Sequence, residues 1–177
     1  MLRYEPADNT DKSRLFFLCK ENIDSYEDLH AIRYAHALMW VRDKIEQHIE
    51  DYTAIWNGTD KVGYFLVHPR EKKWEWEDFY LFPEHRGQGI GTRVLKDQLG
   101  GLEDPVFLHV FRRNTRAIAL YNRFGFQTTQ TIHGTQFRME RSAKTHGEDP
   151  RVTSCLPAQN LLDFCVRSGY TNNAQRK

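Results

Sequence analysis

The segment Arg86-Gly87-Gln88-Gly89-Ile90-Gly91-Thr92 alternates glycine with larger residues, directly ahead of an apolar pattern of helical spacing. Glycine lets a backbone approach a ligand closely, and the first turn of a helix presents N–H groups with no partner inside the helix. Those donors and the helix dipole favour an anion, so a pyrophosphate suits such a nest with little help from cationic side chains. Two better-known phosphate loops do not fit. Gly87, Gly89 and Gly91 lack the G-x-G-x-x-G spacing, and the lysine of a G-x-x-x-x-G-K-[ST] loop is absent. A turn with only a structural role is the plain alternative. Just upstream, Glu75 and Glu77 lie two apart on a predicted strand and face the same side, with Asp78 on the other. Such carboxylates can move protons, although solvated carboxylates on a strand face read the same way. His85 beside the loop and His109 on a buried strand read as structural. No Ser/His/Asp order stands out, and no cluster has metal-ligand spacing, so no metal is expected.

These groups need a scaffold. Residues 2–6 read as a first strand, and Asn9, Thr10 and Asp11 offer capping oxygens before a helix carrying Leu15, Phe16, Leu18 and Cys19. Ser25 with Asp28 resembles a capping box ahead of a second helix through Leu29, Ile32, His36, Met39, Trp40, Ile45 and Ile49. The period then changes. Residues 52–56 and 62–68 flank Asn57-Gly58 as a hairpin, 69–73 form a turn, and 74–82 alternate as a long strand ended by Pro83. Residues 92–99 are helical and stop at Gly100-Gly101. Residues 106–111 read as a buried strand, and Asn114 or Thr115 caps a helix through Ala117, Ile118, Leu120, Tyr121 and Phe124, closed by Gly125. Residues 126–133 and 135–141 pair across Gly134. The order predicts an α/β domain with a mixed central sheet of about seven strands and flanking helices over residues 1–141. Residues 142–177 read as a loose tail or an appended short helix in which Leu161, Leu162, Phe164 and Val166 offer the one apolar patch, and the domain is expected to stay folded without it; a homodimer is one assembly open to the chain.

Composition narrows the class. The chain has 177 residues, 40% of them apolar and 28% charged, which suits one packed domain. No apolar run approaches a bilayer span, and the start has no apolar signal core, so a soluble cytoplasmic protein without a membrane partner is expected. Twenty-five basic against 24 acidic side chains, with no long basic run, argue against nucleic acid as a partner. Cys19, Cys155 and Cys165 are odd in number and fit unpaired thiols in a reducing compartment.

The loop resembles the Arg/Gln-x-x-Gly-x-Gly/Ala signature of the GCN5-related N-acetyltransferase (GNAT) family, with Arg86, Gly89 and Gly91 at the matching positions. Asn114-x-x-Ala117-x-x-x-Tyr121-x-x-x-Gly125-Phe126 is similar to that family's second cofactor-side motif, and the resemblance runs from Leu2 to Arg141. It implies the GNAT fold, in which two parallel strands splay to form a cofactor slot, and an acetyl-CoA-dependent transfer to an amine. By resemblance the backbone from Arg86 through Gly87, Gln88, Gly89, Ile90 and Gly91 to Thr92 binds the pyrophosphate. Leu81 and Phe82 pair with the pantetheine amides and Asn114 sits beside the pantetheine arm. Tyr121 protonates the leaving thiolate, and Glu75, or Glu77 one step along the same face, assists as base. Asn114 also reads as an N-cap alone, and Tyr121 as helix packing.

The acceptor is read from the first two helices and nearby turns. These carry Glu21, Asp24, Glu27, Asp28, Glu46, Glu50 and Asp51, with Tyr26, Tyr34, Trp40, Trp56, Trp74 and Trp76 interleaved or nearby. Carboxylates with aromatic walls suit a small cationic amine. An aminoglycoside or a polyamine fits, and the chain's size suits the aminoglycoside 6′-N-acetyltransferase group. A protein N-acetyltransferase and a non-catalytic acyl-CoA-binding module are the alternatives.

Overall fold

The period-2 and period-3.6 patterns become seven strands and four helices in a computed structural model that describes residues 1–30 and 32–143. The strands are β1 (Leu2–Pro6), β2 (Thr53–Asn57), β3 (Asp60–Arg70), β4 (Lys73–Leu81), β5 (Val106–Phe111), β6 (Gln127–Ile132) and β7 (Gln136–Arg141). They form one sheet in the order β1-β2-β3-β4-β5-β7-β6, and every neighbouring pair except β4 and β5 is antiparallel. The helices are α1 (Lys12–Tyr26), α2 (Tyr34–His48), α3 (Ile90–Gly100) and α4 (Thr115–Arg123). Their apolar stripes cover opposite sides of the sheet. Ile90, Val94, Leu95 and Leu99 of α3 and Tyr121 of α4 pack on Phe65, Trp76, Leu108, Val110 and Met139. Leu15, Leu18 and Ile23 of α1 and Val41 and Ile45 of α2 pack on Tyr52, Tyr64, Leu66 and Phe82. From residue 144 onward the expected tail, with Cys155, Cys165 and the Leu161 patch, lies outside the described residues.

Two local expectations at the helix starts are corrected. Asp8 and Asp11, not Asn9 or Thr10, supply the capping oxygens: the Asp8 carboxylate accepts from Thr10 N–H at 2.8 Å, and the Asp11 carboxylate accepts from Asp8 N–H at 3.1 Å. The Ser25–Asp28 capping box does not form, because α1 continues through Ser25 to Tyr26. Its stripe of Leu15, Leu18, Cys19 and Ile23 keeps the helical period, and stopping early would leave Ile23 exposed. The chain then turns, with Asp28 accepting from His30 N–H at 3.1 Å, and α2 starts only at Tyr34.

The sheet is irregular at two places, both on β4. First, β4 and β5 pair only over Trp74–Val106, Glu75–Phe107 and Trp76–Leu108. Beyond that point β4 stays with β3 as far as Leu81, and β5 stays with β7 as far as Phe111. The parallel strands therefore part. Second, the β3–β4 register shifts, so that Val67 pairs with Trp76 and Leu66 with Asp78. Glu77 is the extra residue of a β-bulge. Trp76 and Phe79, three apart, both join the α3/α4 core, which sends Glu77 and Asp78 together to the α1/α2 side. Simple alternation puts Asp78 on the face opposite Glu75 and Glu77; the bulge corrects that.

Gly63 makes the neighbouring close approach possible, since a Cβ there would lie 2.1 Å from the Tyr80 carbonyl oxygen. We expect Gly63→Ala to destabilise the domain by about 1–3 kcal/mol, the usual range for forced overpacking. Gly101→Ala, where a Cβ meets nothing within 4 Å, should be close to neutral in the same urea titration.

Candidate active site

The loop after β4 has the backbone that its glycines suggest. Gly87 (φ 77°) and Gly89 (φ 75°) both lie in the left-handed region, where a side chain on an L-residue is strained. Gly89 is the N-cap of α3 and no side chain caps that end; the first i→i−4 bond is from Arg93 N–H to the Gly89 carbonyl. The N–H groups of Ile90, Gly91 and Thr92 precede it and point out of the helix start, the arrangement that binds an anion. Arg86 and Gln88 contribute by holding the loop. The Arg86 guanidinium forks onto Glu21 at 3.0 and 2.6 Å and its Nε donates to the Leu81 carbonyl at 2.9 Å, which ties the loop to α1 and to the strand end. The Gln88 amide donates to the Glu84 carbonyl at 2.7 Å.

The parted strands open a cavity of about 490 Å³. Its wall includes Cys19, Ile23, Val41 and Lys44 from the α1/α2 side and Ala117 and Tyr121 from the α3/α4 side, so it passes through the plane of the sheet. Phe79 and Tyr80 of β4 and Val110 and Phe111 of β5 form the facing edges of the gap. Asn114 lines it too, while its side chain accepts from Ala117 N–H at 3.1 Å; cap and cavity wall are the same residue.

Leu81 and Phe82 sit differently. The Phe82 ring is core, with the Arg14 guanidinium 3.6 Å above it, and its N–H donates to the Val62 carbonyl at 3.0 Å. The Leu81 carbonyl is held by Arg86, so the open edge of β4 lies upstream of both, toward Glu77–Tyr80.

Two of the carboxylates on β4 share a neighbour, since His68 lies 3.3 Å from Glu75 and 3.6 Å from Glu77. Glu75 is 2% exposed, does not line the cavity, and is held by Arg70 at 3.0 Å, His68 at 3.3 Å and His109 at 3.7 Å. Burial would raise its pKa, but the bond from His68 and then the Arg70 charge outweigh it and hold the carboxyl below its ordinary range. Glu77 and Asp78 do line the cavity, and Lys44 bridges them at 2.6 Å to each. Burial alone would lower the Lys44 pKa; Asp78 and then Glu77 reverse this and keep the ammonium charged. Asp78 also accepts from the hydroxyls of Tyr52 and Tyr80, at 2.5 and 2.7 Å. Tyr121 is buried, and its pKa is raised by desolvation and then by the Asp78 charge, so its phenol stays protonated. His109 lines the cavity, and burial takes its pKa down to about 4, leaving a neutral imidazole at neutral pH.

The sequence reading missed Lys44. Its signal was its position three residues after Val41 and beside Ile45, on the buried stripe of α2. Three of the seven acidic residues in the helical region already have lysine or arginine partners. Arg86 takes Glu21, Lys20 takes Asp24 and Lys12 takes Glu46, and of the seven acidic residues in that region only Glu27 lines the cavity. Of the aromatic set only Trp40 and Trp76 do.

The acetyltransferase (GNAT) family model matches residues 15–126. This chain belongs to the GNAT family. Its bovine relative thialysine N-epsilon-acetyltransferase is 35% identical over 92 residues, 46% of this chain and 54% of that protein. The Bacillus subtilis spermine/spermidine N(1)-acetyltransferase is 36% identical over 58 residues, 29% of this chain and 38% of that protein. The chain thus spans about half or less of the curated relatives it matches. Among solved structures, the PaiA N-acetyltransferase of Thermoplasma acidophilum in complex with coenzyme A superposes with a TM-score of 0.58 at 21% identity, covering 80% of this chain and 99% of that one. That likeness establishes the GNAT fold, and the parting of β4 from β5 is the splayed slot that the sequence resemblance implied. Among the described residues no group of three or more His, Cys, Asp or Glu side chains is placed to hold a metal, and no helix is long and apolar enough to cross a membrane.

In this GNAT domain Glu75 is a buried charge knot, so its removal should be felt in stability. Glu75→Ala leaves Arg70 and two histidines without their partner and is expected to cost about 3 kcal/mol. The pH dependence has a fixed sign. A carboxylate depressed in the fold stabilises it above its unfolded pKa of 4.5, and that contribution fades as pH falls below 4.5 through the folded value. Urea melts of parent and variant should therefore differ at pH 7 and converge toward pH 3.

Proposed function

We propose that this chain transfers an acetyl group from acetyl-CoA to a primary amine of a small molecule held in the cavity. One observation carries the reading: the cavity crosses the sheet where β4 leaves β5, so carboxylates of one face and the Tyr121 phenol of the other meet in one space. The chain's own groups fit the cofactor. The backbone from Gly87 to Thr92 suits the pyrophosphate, and the edge of β4 from Glu77 to Tyr80 can bond amides as a strand bonds an extended peptide. Gly91 leaves room at the helix start, where a Cβ would already touch Leu120 at 3.3 Å. Acetyl-CoA supplies an activated thioester carbonyl.

Each residue then has a task. The acceptor amine must lose a proton before it attacks, because alkylamines are mostly charged near neutral pH. Glu77, in the cavity wall and on the bulge, attracts the ammonium and takes or relays that proton. Glu75 acts through others: it holds His68, which also reaches Glu77, and His109 in place and is a positioning residue. Tyr121, kept neutral by burial and by the Asp78 charge, donates its proton to the departing sulfur. Asn114 fixes the start of α4 and with it the height of Tyr121 in the cavity.

On the acceptor, a polycationic aminoglycoside has little support, because of the seven acidic residues of the helical region only Glu27 lines the cavity. The two relatives are named for thialysine and for spermine or spermidine, which supports a flexible, extended amine. Acetyl-CoA consumption by the purified chain with such amines tests the reading; turnover of peptide amines alone would replace it with protein acetylation. Tyr121→Phe should lower kcat by about 10²-fold, the low end for a general acid, with acetyl-CoA affinity nearly unchanged. An unaltered kcat under chemistry-limited conditions would return Tyr121 to a packing role.

A further inference from the structure

Glu27 carries three costs that the fold itself does not relieve. It is only 6% exposed, and it has no ion-pair partner among the described residues. It is also the C-cap of α1, where the helix dipole is negative and no basic residue occupies the last turn. Its carboxylate accepts from Asp28 N–H at 2.9 Å and from the Thr135 hydroxyl at a long 3.5 Å, both neutral donors. A buried carboxylate without a countercharge is among the most expensive groups a fold can hold. Departures of this kind from local rules concentrate at functional sites. Glu27 lines the cavity, so the missing cation can arrive as a ligand.

Arg33 is its complement. It stands at the other end of the segment joining α1 to α2, lines the same cavity, and its guanidinium has no ion pair among the described residues. The cavity's other fixed cation, Lys44, is already occupied by Glu77 and Asp78. The cavity wall thus offers one buried, unpaired anion and one solvent-exposed, unpaired cation from a single short connection. A polyamine would satisfy Glu27 and set a like charge against Arg33. An α-amino acid presents an ammonium and a carboxylate on one carbon, and a guanidinium fork matches a carboxylate in two bonds.

We propose that the acceptor is an α-amino acid with a second amine at the end of its side chain, bound by Glu27 at the α-ammonium and by Arg33 at the carboxylate. This rests on the acetyl-transfer reading above. The terminal nitrogen forms an amide bond to the acetyl carbon as the carbon–sulfur bond breaks. One proton leaves that nitrogen and one reaches the sulfur, so the step needs no oxidant or reductant.

The test uses the full chain with saturating acetyl-CoA and five acceptors. These are L-lysine, cadaverine (lysine without the carboxylate), 6-aminohexanoate (lysine without the α-amine), Nα-acetyl-lysine amide (neither charge) and spermidine. L-lysine should have the highest kcat/KM. Arg33→Gln should raise KM about tenfold for L-lysine and 6-aminohexanoate and leave cadaverine unchanged, the loss expected for one charge-assisted contact. Glu27→Gln should do the same for L-lysine and cadaverine and spare 6-aminohexanoate. It should melt no lower than the parent, because it relieves a buried charge; kcat should hold in both variants. Preference for spermidine or the blocked lysine, or KM changes that ignore which charge the acceptor carries, would overturn the proposal while leaving acetyl transfer to small amines standing. No turnover of any of the five amines would overturn both.

Discussion

Everything at this site depends on β4 and β5 ceasing to be partners after Trp76 and Leu108. Backbone N–H and C=O groups inside a sheet are normally bonded on both sides, and leaving an edge open in the middle of a domain is costly. The cost is fixed in place because each strand is held on its outer side, β4 by β3 and β5 by β7 along its whole length. Neither strand can close the gap without breaking a longer ladder. An extended ligand with its own amides suits such an edge, and the glycine-rich loop begins just beyond it. The opening also joins the two faces of the sheet. Were β4 and β5 paired to their ends, Tyr121 and Lys44 would belong to separate cores.

The electrostatics derive from that geometry. Removing water from the gap makes uncompensated charge expensive, and the fold meets this with pairs placed at different depths. Glu75 beneath the strand is shared among Arg70, His68 and His109. Glu77 and Asp78 in the cavity share Lys44. Burial, and after it the negative charge of Asp78, keeps the Tyr121 phenol protonated, so carboxylates and a neutral phenol stand in one space.

Much of this was legible in the sequence, and the parts that were not have physical reasons. The element order, the glycines at 87 and 89 and the Asn114 cap come from local chemistry: periodicity, positive φ and capping act over a few residues. The charge partners were not legible, because Lys44 with Asp78 and Arg86 with Glu21 are long-range pairs set by how the helices lie on the sheet. That is why an acid-rich helical region read as a cationic-substrate surface when three of its seven acidic side chains have lysine or arginine partners and only Glu27 lines the cavity. The bulge at Glu77 did leave a trace. In Trp74-Glu75-Trp76-Glu77-Asp78-Phe79 strict alternation would bury Asp78 beside the tryptophans and turn Phe79 out, a break in phase that a bulge resolves.

The central claim is that the open edge of β4 and the start of α3 are the cofactor's seat, and amide hydrogen exchange with and without coenzyme A tests it most directly. Adding coenzyme A should slow exchange chiefly at Glu77–Leu81 and Gly87–Thr92, while the paired strands β2 and β6 stay as they were. Protection elsewhere, with those two segments unchanged at saturating coenzyme A, would contradict it.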